Sequence, residues 1–177
     1  MSIVQTVSPE QASGKVAEIY AQIEQRFGRV YQGFQLYSAS PELMEQMSQQ
    51  NRYFMQHPTL GFELLAMIRM LVSEQNACAY CIGFNESMLI NRGGFSVEQI
   101  AAMKVDPSSA PLSEKDKAML LFVLKGTAEA KSIGKADLDV LRGLGWSERD
   151  IVDGLYHGAR NVAVDIMFDA FKVENDF

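Results

Sequence analysis

The sequence lacks the features that mark membrane, secreted or nucleic-acid-binding proteins. No apolar run reaches the roughly 18 residues that a membrane helix needs, so we expect no membrane association. Residues 1–8 contain neither a positive stretch nor an apolar one, so we predict no signal peptide and expect a cytoplasmic protein. Lys and Arg number 16 against 22 Asp and Glu, without a basic cluster, so no nucleic-acid partner is expected either.

Strand patterns and cofactor loops are also missing. Nowhere do apolar and polar residues alternate over a sustained stretch, so we predict no sheet. Nothing resembles a dinucleotide or phosphate loop, so no organic cofactor is expected. With 177 residues, of which 47% are hydrophobic, the chain fits one domain over residues 1–177 that buries its own core. The fold class predicted is all-α, a single-domain helical bundle.

Helix-start signals recur along the chain. Ser8-Pro9-Glu10 and Ser40-Pro41-Glu42 each combine a Ser at the N-cap with Pro at the first helical position, which predicts helices to about Phe27 and Gln56. The strongly apolar residues 61–73 predict a largely buried helix. A further helix is predicted from near Cys78 to Asn91. Three serines with a capping partner three residues later begin the other main helices: Ser96 with Gln99, Ser113 with Asp116, and Ser147 with Asp150.

The only two cysteines form one motif, Cys78-Ala79-Tyr80-Cys81, with Glu74 one turn upstream. A C-x-x-C pair can close and reopen a disulfide ring, because Cα atoms three residues apart in a helical turn lie at about 5 to 6 Å. A nearby carboxylate can move the protons that this chemistry requires. The motif therefore predicts thiol redox work. Two small buried hydrophobes are the alternative, and a zinc site would need His57 or His157 as further ligands, so no metal is predicted.

Two geometries are open for this motif. In one continuous helix, the residues Glu74, Cys78, Cys81 and Asn85 share a single face. If Asn76 instead caps a new helix, both cysteines fall in its first two turns, where free N–H groups and the helix dipole stabilise a thiolate. Either geometry suits redox chemistry, and the second would lower a thiol pKa.

These residues resemble a known family. The pattern Glu74-x-x-x-Cys78-x-Tyr80-Cys81, preceded by an apolar helix, is similar to the carboxymuconolactone decarboxylase / alkylhydroperoxidase D-like superfamily. The likeness extends to the segments 93–100 and 141–153 and covers roughly residues 10–172. It implies an all-helical subunit of the alkylhydroperoxidase D-like type that forms a homo-oligomer, with the C-x-x-C core segment at about residues 61–92.

The resemblance implies a peroxidase-like antioxidant enzyme that reduces hydroperoxides with electrons from a thiol or dithiol reductant. Cys81 would attack the peroxide and become a sulfenic acid, and Cys78 would resolve it as a disulfide. Glu74 would be the relay carboxylate, although some members place this group earlier, near Glu63. The family's relay histidine corresponds to Asn85, which cannot carry a proton at neutral pH, so weak peroxidase activity is expected.

Other candidates lie nearby or on the last helix. Four residues at successive i+4 spacings form one polar stripe, which we interpret as a solvated or subunit-facing surface: Asp153, His157, Asn161 and Asp165. The sharper hypothesis is that His157 replaces the missing relay histidine. Three further side chains are candidates for lining a pocket for an apolar hydroperoxide: Tyr80, Phe84 and Met88.

Two functions besides peroxidase remain open. A cofactor-free decarboxylase of the same fold would not need two cysteines, so the pair argues against it. The other function is that of a non-catalytic, oligomeric interaction protein of the same fold. Asn85 favours it, because an amide cannot relay protons at the position of the family's histidine.

Overall fold

A computed structural model of the protein describes residues 2–177, and these residues form an all-α structure. The all-α prediction is confirmed, since the described part of the chain contains no strand. None of its helices is both long enough and apolar enough to cross a membrane. In chain order the helices are α1 Gly14–Phe27, α2 Gln32–Gln35, α3 Pro41–Met55, α4 Phe62–Asn76, α5 Ala79–Asn91, α6 Val97–Val105, α7 Glu114–Ala128, α8 Lys135–Gly143 and α9 Glu148–Ala170.

Most predicted helix starts are confirmed. α3 begins at Pro41, directly after Ser40. α6 begins with a reciprocal capping box, in which the Gln99 N–H donates to the Ser96 hydroxyl and the Ser96 N–H donates to the Gln99 side chain. Ser113 caps α7 in the predicted way, by accepting from the backbone of Asp116.

The prediction for the first helix was wrong in its start. Pro9 begins only a short 3₁₀ turn, Pro9–Gln11, and α1 starts at Gly14. Ala12 and Ser13 are both extended, which interrupts the helix between the two elements. The cap signal at Ser8 therefore marked a turn and not the long amphipathic helix that follows.

The described residues divide into two compact units, of which the first comprises residues 2–57 and 167–177. Its N-terminal segment is tied to its C-terminal one, because the Ile3 N–H donates to the Phe171 carbonyl at 3.0 Å. The buried rings of Tyr37 and Phe168 lie with centroids 6.2 Å apart. The Tyr20 hydroxyl donates to the Val7 carbonyl at 2.8 Å and fixes the entering chain on α1.

The second unit comprises residues 58–166 and contains both cysteines. Its central element is α4, whose apolar side chains point in all directions and are covered, with Ala66, Met67 and Ile68 all 0% exposed. A helix that is apolar all round is stable only when it is enclosed. α4 packs against α5 and α7, and this arrangement places the cysteine motif at its end.

Glycines allow α9 to approach α7 closely within this unit. A Cβ atom on Gly158 would lie 2.4 Å from Val123 Cγ1, and one on Gly154 would lie 2.7 Å from Met119 Sδ. Neither distance is possible between real side chains. The two glycines therefore set the position of α9, which carries the polar stripe.

Candidate active site

The cysteine motif lies at a sharp break between α4 and α5. α4 ends at Asn76, and Ala77 takes the left-handed conformation with φ 57°. The Ala77 N–H donates to the Glu74 carbonyl at 3.3 Å and the Cys78 N–H donates to the Ser73 carbonyl at 3.1 Å, which closes the helix end. The continuous-helix geometry is therefore wrong. A new helix begins as in the second geometry, with Cys78 rather than Asn76 at the N-cap.

Both cysteines are free thiols and both are buried. Cys78 is 0% exposed and Cys81, in the first turn of α5, is 5% exposed. Enclosure of this kind keeps large reagents away from the pair. Their reversible disulfide stays a prediction.

A third group, the Asp165 carboxylate, lies close to the two thiols. The sequence did not predict this proximity. Sγ of Cys78, Sγ of Cys81 and a carboxylate oxygen of Asp165 all lie within 4.8 Å of one another. Asp165 belongs to the i+4 stripe on α9, and the interpretation of that stripe as surface was wrong. His157, Asn161 and Asp165 are 1%, 5% and 1% exposed, because α9 turns this face toward α4.

Three uncharged side chains hold the Asp165 carboxylate. The Ser73 hydroxyl donates to Oδ1 at 2.8 Å and Asn76 Nδ2 donates to Oδ2 at 2.9 Å. Asn161 Nδ2 donates to the Ser73 hydroxyl at 2.8 Å and lies 3.3 Å from both carboxylate oxygens. A buried carboxylate with this many donors is fixed in position and orientation.

The environment shifts the protonation of both reactive groups. The hydrogen bond to Cys78, burial and the negative charge of Asp165 all raise the pKa of the Cys81 thiol. This direction is opposite to the one expected from the helix start, because the hydrogen bond to Cys78, burial and the charge of Asp165 all favour the protonated thiol. Burial also raises the pKa of the Asp165 carboxyl, and hydrogen bonds from Asn76 and Cys81 oppose this shift. Cys81 is thus a protonated thiol with a proton acceptor in contact.

A second polar group contacts the backbone of Cys81. Asn85 is 3% exposed, accepts from Arg69 Nε at 2.8 Å and donates to the Cys81 carbonyl at 2.8 Å. Arg69 Nη1 lies 3.1 Å from Nε2 of His157. The same Nε2 also lies 3.3 Å from the Leu65 carbonyl, so both contacts place this ring nitrogen against α4. The structure therefore brings Asn85 and His157 together through Arg69, a residue that the motif did not indicate.

Glu74 lies in a different environment. Its Oε1 is 2.5 Å from Nζ of Lys104 on α6, and the same ammonium lies 2.7 Å from Oε1 of Glu86. Burial alone would lower the pKa of Lys104, but the two carboxylates outweigh it and the pKa is raised. Glu63, the other carboxylate considered, is exposed in the first turn of α4. The carboxylate beside the thiols is that of Asp165.

The pocket candidates lie on α5. Tyr80 is buried, while Phe84 and Met88 are half-buried, and the rings of Tyr80 and Phe84 stack with centroids 6.5 Å apart. A groove of about 320 Å³ is lined by residues of α5 and α6, including Ile90 and Lys104. None of the three candidates lines it.

The cluster does not complete a zinc site. Its two thiols and one carboxylate are three groups, whereas a structural zinc site takes four protein ligands. Geometry on its own therefore assigns these three side chains to thiol chemistry.

The arrangement of helices is that of alkylhydroperoxidase D-like proteins, which confirms the family resemblance at the level of the fold. No family model matches the sequence. No curated protein matches it either. The structure is similar to a peroxidase-related protein from Silicibacter sp. TM1040 (TM-score 0.81, 22% identity, 92% of this chain and 85% of that one). It is also similar to an alkylhydroperoxidase AhpD core protein, likewise peroxidase-related, from Ralstonia eutropha JMP134 (TM-score 0.87, 18% identity, 99% and 92%).

A third similar structure has a different activity. The debrominase Bmp8, as a cysteine-to-alanine variant in complex with 2,3,4-tribromopyrrole, superposes with a TM-score of 0.78 at 18% identity, covering 99% of this chain and 94% of that one. At these identities the likeness establishes the fold alone. The fold therefore carries more than one chemistry, and the residues of the site have to decide between them.

Proposed function

We propose that the protein is a thiol-dependent, peroxidase-like oxidoreductase that reduces hydroperoxides with Cys78 and Cys81. The observation that carries the proposal is the cluster of two free, buried thiols and one buried carboxylate within 4.8 Å. The peroxidase-related proteins of the same fold support it. Two thiols and one carboxylate at this distance suit a two-electron thiol reaction.

The proposed cycle is balanced by the thiol pair and an external reductant. The Cys81 thiolate attacks a peroxide oxygen, so that an S–O bond forms, the O–O bond breaks and an alcohol leaves after protonation. The Cys78 thiol then attacks the sulfenic sulfur, forming the disulfide and releasing water. A thiol or dithiol reductant supplies two electrons and two protons to restore both thiols.

The test compares the wild type with Cys81→Ser and Cys78→Ser. An organic hydroperoxide such as cumene hydroperoxide is followed in single turnover and then with dithiothreitol in excess. Cys81→Ser should abolish reduction, whereas Cys78→Ser should complete one turnover, accumulate a sulfenic acid that dimedone traps, and fail to recycle. Equal single-turnover loss in both variants would contradict the two roles.

A second candidate function is reductive dehalogenation, which the likeness to the debrominase over 99% of this chain favours. The thiol pair would supply two electrons, so that a carbon–bromine bond becomes carbon–hydrogen, bromide leaves and the disulfide forms. Bromide release from 2,3,4-tribromopyrrole by the wild type, without hydroperoxide reduction, would select this function. Decarboxylation that survives in both Ser variants would instead favour the cofactor-free decarboxylase.

We also infer that the protein forms a homo-oligomer. The support is the family resemblance, together with large apolar side chains of α6 that are exposed in the single chain, Val97 at 64% and Val105 at 88%. Light scattering at micromolar concentration should give a mass above that of one chain. A monomeric mass would refute the inference, and a monomeric, redox-inactive chain would also exclude the oligomeric interaction protein.

A further inference from the structure

Cys81 needs a group that accepts its proton, and the structure offers few. Asn85 is an amide and cannot accept a proton at neutral pH. His157 Nε2 lies 3.1 Å from Arg69 Nη1, whose positive charge disfavours protonation of the ring, and the Glu74 carboxylate forms an ion pair with Lys104. The remaining titratable groups in contact with Cys81 are Cys78 and Asp165.

Asp165 is built into this position from two helices. Ser73 and Asn76 of α4 donate to its two oxygens, one each, and Asn161 lies one turn before it on α9. All three of these side chains are uncharged. An ionised carboxylate has about four lone-pair sites, so sites remain for the thiols. The carboxylate is 1% exposed, so it faces the thiols and not bulk water.

We propose that Asp165 is a catalytic residue that takes the proton of the Cys81 thiol and returns it to the oxygen that leaves the peroxide. This inference rests on the proposed function and assigns the acid–base role to a residue outside the C-x-x-C motif. In the step, the S–H bond breaks and the carboxylate becomes a carboxylic acid. The thiolate forms the S–O bond, the O–O bond breaks, and the carboxylic acid protonates the alkoxide.

Burial supports this role for Asp165. Since enclosure raises the pKa of its carboxyl, the group holds a proton more readily than an exposed aspartate would. The negative charge of Asp165 raises the pKa of Cys81, so the thiol ionises more readily when the carboxylate accepts its proton. Proton transfer by a positioned group is worth about 10²- to 10⁴-fold in rate.

The experiment uses the full chain and the variant Asp165→Asn, with Asp169→Asn as the control. Asp169 is an exposed carboxylate one turn later on the same helix. Two quantities are measured: the rate of cumene hydroperoxide reduction, and the pH midpoint at which iodoacetamide alkylates Cys81 in a Cys78→Ser background. Asp165→Asn should slow peroxide reduction by at least about 100-fold while it lowers the alkylation midpoint, because a negative charge beside the thiol is removed. Asp169→Asn should change neither quantity.

Slower peroxide reduction together with a lower alkylation midpoint distinguishes proton transfer from a purely electrostatic effect. If the midpoint falls and peroxide reduction becomes faster, the carboxylate only suppresses the thiolate, and the proposal is overturned. If neither quantity changes, the carboxylate does not act on the thiol, and the proposal is overturned as well. An inactive wild type overturns the proposed function together with this step. An active wild type with an equally active Asp165→Asn variant overturns this step alone.

Ser73→Ala keeps the proposal testable if Asp165→Asn does not fold. The variant retains the carboxylate but removes the donor to Oδ1, so the pKa of Asp165 should rise further. Among the described residues, the titratable groups in contact with Asp165 are the thiols of Cys78 and Cys81, and its hydrogen bonds from α4 and α9 come from uncharged side chains. The acid limb of the rate profile should therefore move to higher pH in Ser73→Ala. An unmoved acid limb contradicts the role of Asp165.

Discussion

Asp165 of α9 lies beside Cys81 of α5, although three helices separate the two residues in the sequence. The pairing depends on Ser73 and Asn76 at the end of α4, each of which donates to one oxygen of the carboxylate. The pKa of the thiol and that of the carboxyl are both raised. The raised pKa of Cys81 and the burial of the site limit its reaction with reagents that cannot engage the carboxylate.

Glu74→Gln tests which of two carboxylates relays protons, that of Glu74 or that of Asp165. Because Glu74 forms an ion pair with Lys104, we expect its substitution to change hydroperoxide reduction by less than about tenfold, below the range typical of a general acid or base. The comparison is with Asp165→Asn under the same conditions. A loss of 100-fold or more in Glu74→Gln, with Asp165→Asn unaffected, would return the relay role to Glu74.

The stability of the fold should carry a pH signature of Asp165. Its pKa in the folded protein lies above the usual 3.8, so the folded state binds this proton more tightly than the unfolded state does. The resulting stabilisation is complete below pH 3.8 and is lost as the pH rises through the raised, folded-state pKa. Urea unfolding of the wild type and Asp165→Asn across this window should show a difference that falls as the pH increases. A difference that is constant with pH would contradict the raised pKa.

Much of the fold was predictable from the sequence, because the apolar periodicity of α4 and the cap residues of α3, α6 and α7 are local signals. The position of the C-x-x-C motif at a helix start was among the predicted geometries. The break itself was not determined, because Ala77 takes a left-handed conformation that usually belongs to Gly or Asn. The role of the α9 stripe was not predictable either. Its i+4 spacing defines a face, but only the contacts of His157 and Asp165 with α4 show that this face is buried.

Asn85→Leu tests the structural role of the amide at the position where the family resemblance implies a histidine. The change removes the acceptor of Arg69 Nε and the donor to the Cys81 carbonyl, both in a buried region. We expect the free energy of unfolding to fall by about 1–3 kcal/mol, measured by urea denaturation. Asn91→Leu at the exposed end of the same helix is the matched control and should change it by no more than about 0.5 kcal/mol. Equal effects in the two variants would show that the buried amide has no special structural role.

The same site gives an expectation for Asn85→His. The introduced imidazole would supply a group that titrates near neutral pH, and an increase in peroxidase rate is expected if proton transfer limits the reaction. It has to share its surroundings with the Arg69 guanidinium, whose charge disfavours the imidazolium. The gain should therefore grow as the pH rises, and pH–rate profiles of the wild type and the variant measure it. A gain confined to low pH would contradict this account.

Gly158→Ala tests the close packing that sets the position of α9 and hence of Asp165. The new Cβ would lie 2.4 Å from Cγ1 of Val123 and 3.1 Å from Cγ2 of Thr127. Both neighbours are β-branched and have few rotamers to retreat into, so the helices have to separate. Overpacking of this kind typically costs about 1–3 kcal/mol, and we expect a loss in that range by urea denaturation.

The matched control for that variant is Gly143→Ala. Gly143 ends α8, and a methyl group added there would meet nothing within 4 Å, so the same chemical change should be neutral or stabilise by up to about 1 kcal/mol.

A second variant removes the contact from the α7 side, by shortening Val123. In the double variant Val123→Ala/Gly158→Ala, the new methyl group fills space that the valine vacates. The loss of unfolding free energy should therefore be smaller than the sum of the losses in the two single variants. Strict additivity would mean that the α7–α9 contact does not fix α9, and Gly158→Ala should then leave the alkylation midpoint of Cys81 unchanged. Because Asp165 reaches the thiols only where α9 is closely packed, we expect Gly158→Ala to lower that midpoint as the carboxylate moves away.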